Sequence, residues 1–327
     1  MGIRVIVDTD AGVDDALALI LVLRSPELRV ETITTVSGNV SVGQATSNVF
    51  KILDLLDPES RPMVARGAHQ PLKKKPLNAH RVHGADGLGE LHRFKNADGN
   101  PRYPEAQLPA DLPEASSALL ETLARYPNEV TVISLGPLTN LASALLADAE
   151  RFRKAKELVI MGGAIAVPGN ITPAAEFNIY ADPHSARLVF ASGLPIRLIP
   201  LDVTEKIRLE ASEVKSLSRA AEAPLGQFLA DASSRIMQYM EETRGRAELV
   251  LHDPLTVGVV VEPSLVGTRP LSVDVETEAS ITQGMTLADL RPVPEELKQP
   301  PNLQVAMEVD ERRFKTIFRE RLCQRSS

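Results

Sequence analysis

The chain has 327 residues, 43% of them hydrophobic, and a formal net charge of −7, enough apolar material for a substantial core. Its acidic balance argues against a nucleic-acid or anionic-membrane partner, because phosphate groups repel such a surface. One cysteine, Cys323, rules out an intramolecular disulfide, and with no signal-peptide pattern and no apolar stretch of spanning length, cytoplasm is the expected compartment.

In chain order, short β-branched apolar runs recur as IRVIV (3 to 7), RVETITTV (29 to 36), EVTVIS (129 to 134), ELVIM (157 to 161) and IRLIP (196 to 200). Segments of helical periodicity lie between most of them, at 13 to 24, 42 to 56, 115 to 126, 137 to 147 and 183 to 192. That alternation predicts an α/β fold: an open, mainly parallel sheet flanked by helices. Residues 66 to 113 interrupt it with a Gly/His/Pro-rich stretch, too long for an ordinary connection and therefore an active-site loop candidate. After residue 205 the pattern is more helical, and PLSVDV (270 to 275) with LQVAMEV (303 to 309) predicts a late strand pair. No repeat and no linker divides the chain, so residues 1 to 327 read as a single domain.

Ligands of an open α/β sheet bind beyond the carboxyl ends of its strands. The first strand runs into DTDAGVDD, with Asp8, Asp10, Asp14 and Asp15 inside eight positions. Acidic residues favour a first helical turn, which explains Asp14 and Asp15. It does not explain Asp8 and Asp10. Crowded carboxylates repel unless a cation or hydrogen-bond donors offset them, and an oxygen-rich cluster suits a hard cation. The other strand ends carry SGN (37 to 39), SLGPLTN (134 to 140) and MGGAIAVPGNITPAAEFN (161 to 178), while RVHGADGLG (81 to 89) and LHDP (251 to 254) add histidines.

Together these segments, from about residue 3 to 260, closely resemble the inosine-uridine-preferring nucleoside hydrolases. The resemblance implies a bound Ca²⁺ and hydrolysis of the N-glycosidic bond of ribonucleosides, with a homodimer or homotetramer and a part in nucleoside salvage. Carried over residue by residue, it implies metal binding by Asp10, Asp15, Asp253 and the Leu135 carbonyl. Ribose recognition falls on Asp14, Asn39, Asn170, Glu176, Asn178 and Asp253, with Phe177 walling the sugar pocket and Asp8 in support. His83 and His252 fall near the leaving base, and Met237, Tyr239, Met240 and Arg244 on the preceding helical stretch are base-pocket candidates. Two departures stand out, Ala11 where proline is usual and His184 after ADP, neither at a group the chemistry requires. Beyond about residue 262 no motif maps.

Such a site answers the reaction. Cleavage at ribose C1′ builds oxocarbenium character, so water must be activated, with Asp10 as proton acceptor, and the departing base must be neutralised, a task suited to His252 or His83. DTD after a strand also resembles haloacid-dehalogenase-type phosphatases with Asp8 as nucleophile, but that reading leaves the Asn- and His-bearing loops unexplained. A non-catalytic nucleoside- or Ca²⁺-binding protein is the third reading, and the complete set of acid, base and metal positions argues against it.

Overall fold

The computed structural model describes residues 2 to 324, apart from the side chain of Glu295. Its strands are β1 (Ile3–Thr9), β2 (Leu28–Thr35), β3 (Met63–Arg66), β4 (Val130–Ser134), β5 (Glu157–Met161), β6 (Ile196–Ile199), β7 (Arg208–Glu210), β8 (Glu248–Val250), β9 (Val266–Leu271), β10 (Val273–Val275), β11 (Thr286–Ala288) and β12 (Leu303–Val309). Eight of them form one sheet in the order β3-β2-β1-β4-β5-β6-β12-β9. All neighbours are parallel except β12 and β9. β1, β4 and β5 are buried along most of their length, as continuous apolar runs are when helices cover both faces of a parallel sheet. No helix among the described residues is long and apolar enough to cross a membrane.

The five expected strands and five expected helices are present, with ends shifted by a residue or two. β3 escaped the sequence reading because four residues, MVAR, carry too little periodicity to register. The late strand pair needs correction. β12 pairs with residues 266–271, not 270–275, and Val273–Val275 instead pairs with β11 in a separate small sheet. Two short apolar runs separated only by Ser272 read as one in sequence, although hydrogen bonding divides them.

The helix Val13–Leu23 is buried from Val13 to Val22 and packs against the helix His252–Val261, so the two acidic motifs near its start and at the other helix's start are brought to one end of the sheet. At Gly258 the second helix meets Phe314, which is fully buried and stacked on Phe318 with ring centroids 5.9 Å apart. A Cβ at Gly258 would lie 2.7 Å from the Phe314 ring. Alanine would gain about 1 kcal/mol of helix propensity, yet overpacking a rigid ring costs about 1–3 kcal/mol. Gly258→Ala should therefore lower the unfolding free energy measured in urea, whereas a stabilised variant would show that the ring has room to move.

Candidate active site

The sheet order reverses between β1 and β4, with β2 and β3 on one side and β5 and β6 on the other. Loops leaving adjacent strands in opposite directions open a crevice at this point. Asp10 follows β1 and Leu135 follows β4, and the Leu135 N–H donates to the Asp8 carbonyl at 2.8 Å. Asn39 arrives after β2. From the far side, the helix His252–Val261 directs the N–H groups of His252 and Asp253 onto Asp14 Oδ2, both at 2.9 Å.

Asp8, Asp10, Asp14, Asp15 and Asp253 are all buried. Amide and hydroxyl donors, not lysine or arginine, hold their charge. Asp10 accepts from Asn39 N at 2.6 Å and Asn39 Nδ2 at 3.0 Å. Asp15 accepts from Thr9 Oγ1 at 2.5 Å, Gly12 N at 2.9 Å and Asn39 Nδ2 at 3.1 Å. Burial, and then the like charge of Asp15, pushes Asp10 well above the usual carboxylate range. Asp14 and Asp253 are raised as well, first by burial; Asp253 feels Asp15, Asp14 and Asp10 together. Asp8 lies beneath the cluster, where Thr34 and Asn140 donate to Oδ1 at 2.5 and 2.7 Å, and burial pushes it up to about 7.

The donor set fits a hard cation on chemistry. Three mutually repelling carboxylates and the Leu135 carbonyl are oxygen ligands of the kind Ca²⁺ takes. Asp14 Oδ1 is buried with no partner at all. Among the described residues no group of three His, Cys, Asp or Glu side chains is placed so that it could hold a metal ion; Asn39 bridges Asp10 and Asp15, and Asn178 Nδ2 donates to the Leu135 carbonyl at 2.7 Å.

Of the ribose-directed residues, Glu176 caps the helix Phe177–Ala181. It accepts from Asn178 N, Gly163 N and Ile179 N at 2.8, 3.0 and 3.1 Å, so most of its capacity serves to tie two loops together. Asn170 is exposed and accepts from Phe177 N at 2.9 Å, which orients the half-buried Phe177.

His83 and His252 are half-buried and come from opposite walls. His83 Nδ1 accepts from Val13 N at 3.1 Å, and since a backbone N–H can only donate, the neutral ring carries its proton on Nε2. His252 Nδ1 lies 2.7 Å from Thr204 Oγ1. Burial lowers both imidazoles to about 4, and His252 adds to the depression at His83. Both are therefore neutral near pH 7. His69, His80 and His92 are exposed and His184 is half-buried. On the helix Leu225–Arg244, Met240 is buried in the core, Met237 and Tyr239 pack against it, and Arg244 donates to Glu205 at 3.0 Å.

Several contributors were missed. Asp202 accepts from Ile165 N and Ala166 N, both at 2.8 Å, and Thr286 exchanges hydrogen bonds of 2.9 and 2.8 Å with Ala164. The segment beyond residue 262, silent in sequence, thus buttresses a site loop. Ala11 also matters more than expected: its φ is 45°, closed to proline. Its N–H donates to Thr9 Oγ1, the hydroxyl that serves Asp15. For Asp202 and Thr286 the sequence carried no signal; only Ala11 stood out, as a departure.

A parallel sheet with an acidic, amide-lined crevice at its switch point defines a small-molecule enzyme of the α/β class. The sequence profile of the family described as inosine-uridine preferring nucleoside hydrolase matches residues 5–316. The chain belongs to this family and is a hydrolase acting on ribonucleosides. The match extends well past residue 260, where the motifs legible in sequence ended. The chain is 38% identical over 323 residues to the pyrimidine-specific ribonucleoside hydrolase RihA of Salmonella enteritidis PT4, covering 98% of this chain and 99% of that protein. Among solved structures it resembles the plant nucleoside hydrolase PpNRh1, with a TM-score of 0.88, 34% identity and 99% of each chain covered. It also resembles a purine-preferring ribonucleoside hydrolase from Gardnerella vaginalis, with a TM-score of 0.87, 32% identity and 98% of each chain covered.

Gly38 gives the site its most demanding steric test. A Cβ there would lie 2.0 Å from Asp10 Oδ2, so Gly38→Ala must displace that carboxylate. Misplacing a reacting group by about 1 Å can cost about 10²-fold in rate. Turnover should fall by that order while the far-UV circular dichroism is retained; undiminished turnover would mean that Asp10 need not sit where it does.

Proposed function

We propose that this chain is a Ca²⁺-dependent ribonucleoside N-glycosidase that releases free base and ribose. The observation that carries the reading is Asp14. One of its oxygens takes two backbone N–H groups while the other is buried without a donor, an arrangement that a ribose hydroxyl completes. Asn39, Asn170, Glu176, Asn178 and Asp253 are the further sugar contacts in this reading, with Phe177 against the ring.

Asp10, Asp15, Asp253 and the Leu135 carbonyl would hold the cation, whose positive charge would offset the carboxylate cluster and make water more acidic. Asp10 is the proton acceptor for the attacking water. Burial and Asp15 raise Asp10 more than the bonds from Asn39 lower it, and a cation held beside it would favour the ionised form that a general base needs. His252 and His83, neutral at working pH, assist the departing base as donors through Nε2 rather than as resident imidazolium ions. Cytoplasmic nucleoside salvage by a homodimer or homotetramer rests on the family resemblance alone. Pyrimidine-specific and purine-preferring relatives leave both base classes as substrates to test.

Two measurements check this reading. Exhaustive chelation should abolish hydrolysis of uridine and inosine, and added Ca²⁺ should restore it; full activity in protein shown metal-free by elemental analysis would refute the cation's role. Because a site built to bind a hydroxyl is left with unpaired polar groups by an analogue lacking it, discrimination of about 10⁴-fold is attainable. Ribonucleosides should exceed their 2′- and 3′-deoxy counterparts in kcat/KM by several powers of ten for at least one of the two positions, and parity at both would remove Asp14 from sugar recognition.

A further inference from the structure

The segment leaving β6, from Leu201 to Glu205, lies outside every motif described above, yet it meets the site twice. Its short helix Leu201–Thr204 holds loop residues Ile165 and Ala166 through Asp202. Two residues later, Thr204 places its hydroxyl 2.7 Å from His252 Nδ1. We propose that Thr204 is a positioning residue for the reaction: it donates to His252 Nδ1, so that the ring proton is carried by Nε2 and directed at the departing base. The proposal rests on the leaving-group role assigned to His252.

The direction of this hydrogen bond follows from the hydroxyl's surroundings. Thr204 is completely buried, and among the described residues its Oγ1 has His252 Nδ1 as its hydrogen-bond partner. Were Nδ1 the protonated nitrogen, the Thr204 proton would point at nothing. A buried donor without an acceptor is costly, whereas a donor facing a bare imidazole nitrogen is not. The threonine backbone is itself fixed, its N–H donating to the Pro200 carbonyl at 3.1 Å, so the hydroxyl also sets the plane of the ring.

The charges behind His252 leave this assignment in place. Glu205, Arg208, Arg244 and Glu248 all lie in that wall, but they neutralise one another: Glu205 pairs with Arg208 at 2.9 Å and Arg244 at 3.0 Å, and Arg208 also pairs with Glu248. Thr204 makes the direct contact. His83 reaches the same state by a different donor, the Val13 N–H, so two unrelated donors leave two rings with the same tautomer at one site.

The test compares Thr204→Val, Thr204→Ser and His252→Ala on uridine, inosine and 4-nitrophenyl riboside, whose leaving group is already a stable anion. Thr204→Val keeps the shape and loses the donor. It should slow the better natural nucleoside about tenfold, the rate equivalent of one lost hydrogen bond, while 4-nitrophenyl riboside is slowed less than about twofold; Thr204→Ser should recover most of the loss. Long-range ¹H–¹⁵N correlation of His252 in the full chain should show a protonated Nε2 and a bare Nδ1, with the Nδ1 resonance moving in Thr204→Val. A proton on Nδ1, equal losses on both substrate types, or no recovery by serine would each overturn the proposal. If His252→Ala itself shows no preference between leaving groups, the role of His252 falls and the positioning role of Thr204 falls with it. If His252→Ala is selective and Thr204→Val is not, only the inference about Thr204 fails.

Discussion

Five buried aspartates gathered at the reversal of strand order are the constraint on which the rest of this structure depends. Burial and mutual repulsion both favour neutral acids, so the fold must supply donors at fixed positions to keep such a cluster. It does so with the backbone. The first turn of the helix Val13–Leu23, the loop after β2 and the start of the helix His252–Val261 each turn N–H groups toward a carboxylate, and Asn39 spans two of them with one amide. Because these donors belong to elements far apart in sequence, the site forms only when sheet and helices have docked. Satisfaction stays incomplete at two oxygens of the cluster, Asp8 Oδ2 and Asp14 Oδ1, which are buried without a partner.

The long loop is tied into the same arrangement instead of hanging over it. Asn48 donates to the carbonyls of Ala11 and Asp86 at 2.9 and 2.8 Å, joining the aspartate loop to the segment that carries His83. Farther along, Asp231 accepts from Arg102 at 2.6 Å and Tyr103 at 2.9 Å, and Gly89 approaches the Ala232 carbonyl so closely that a Cβ would lie 2.3 Å away. This loop is therefore clamped to the helix Leu225–Arg244, and His83 is held from two sides. Precise placement of a half-buried imidazole needs such support, since a side chain on an unsupported loop would lose its alignment.

One of the four non-glycine residues with a positive φ among the described residues lies in the same place. Ala11 adopts a φ of 45°, uncommon for a residue with a Cβ, and its N–H joins Thr9 and Asp15 in a short relay of hydrogen bonds. A proline there would lack both the conformation and the donor. The turn thus uses what alanine has, which ties a residue that looks neutral in sequence to the geometry of an acidic group.

From sequence alone, the alternation of β-branched runs with helical periods determined a parallel α/β sheet, and the polar residues following each run marked the end of the sheet where chemistry belongs. Local patterns suffice for this, because burial on both faces imposes a continuous apolar strand and the loops beyond it are free to carry acids, amides and histidines. The aspartates of the first loop and Asn39 stood out for that reason, while the assignment of His83 and His252 came from the family resemblance. Tertiary structure alone decided which oxygen of Asp14 lacks a donor, that Glu176 spends itself on backbone groups, that β9 rather than β10 joins β12, and that Thr204, Asp202 and Thr286 serve the site. These residues have ordinary local sequence, and their roles arise from hydrogen bonds across tens to hundreds of positions, which composition and periodicity do not record.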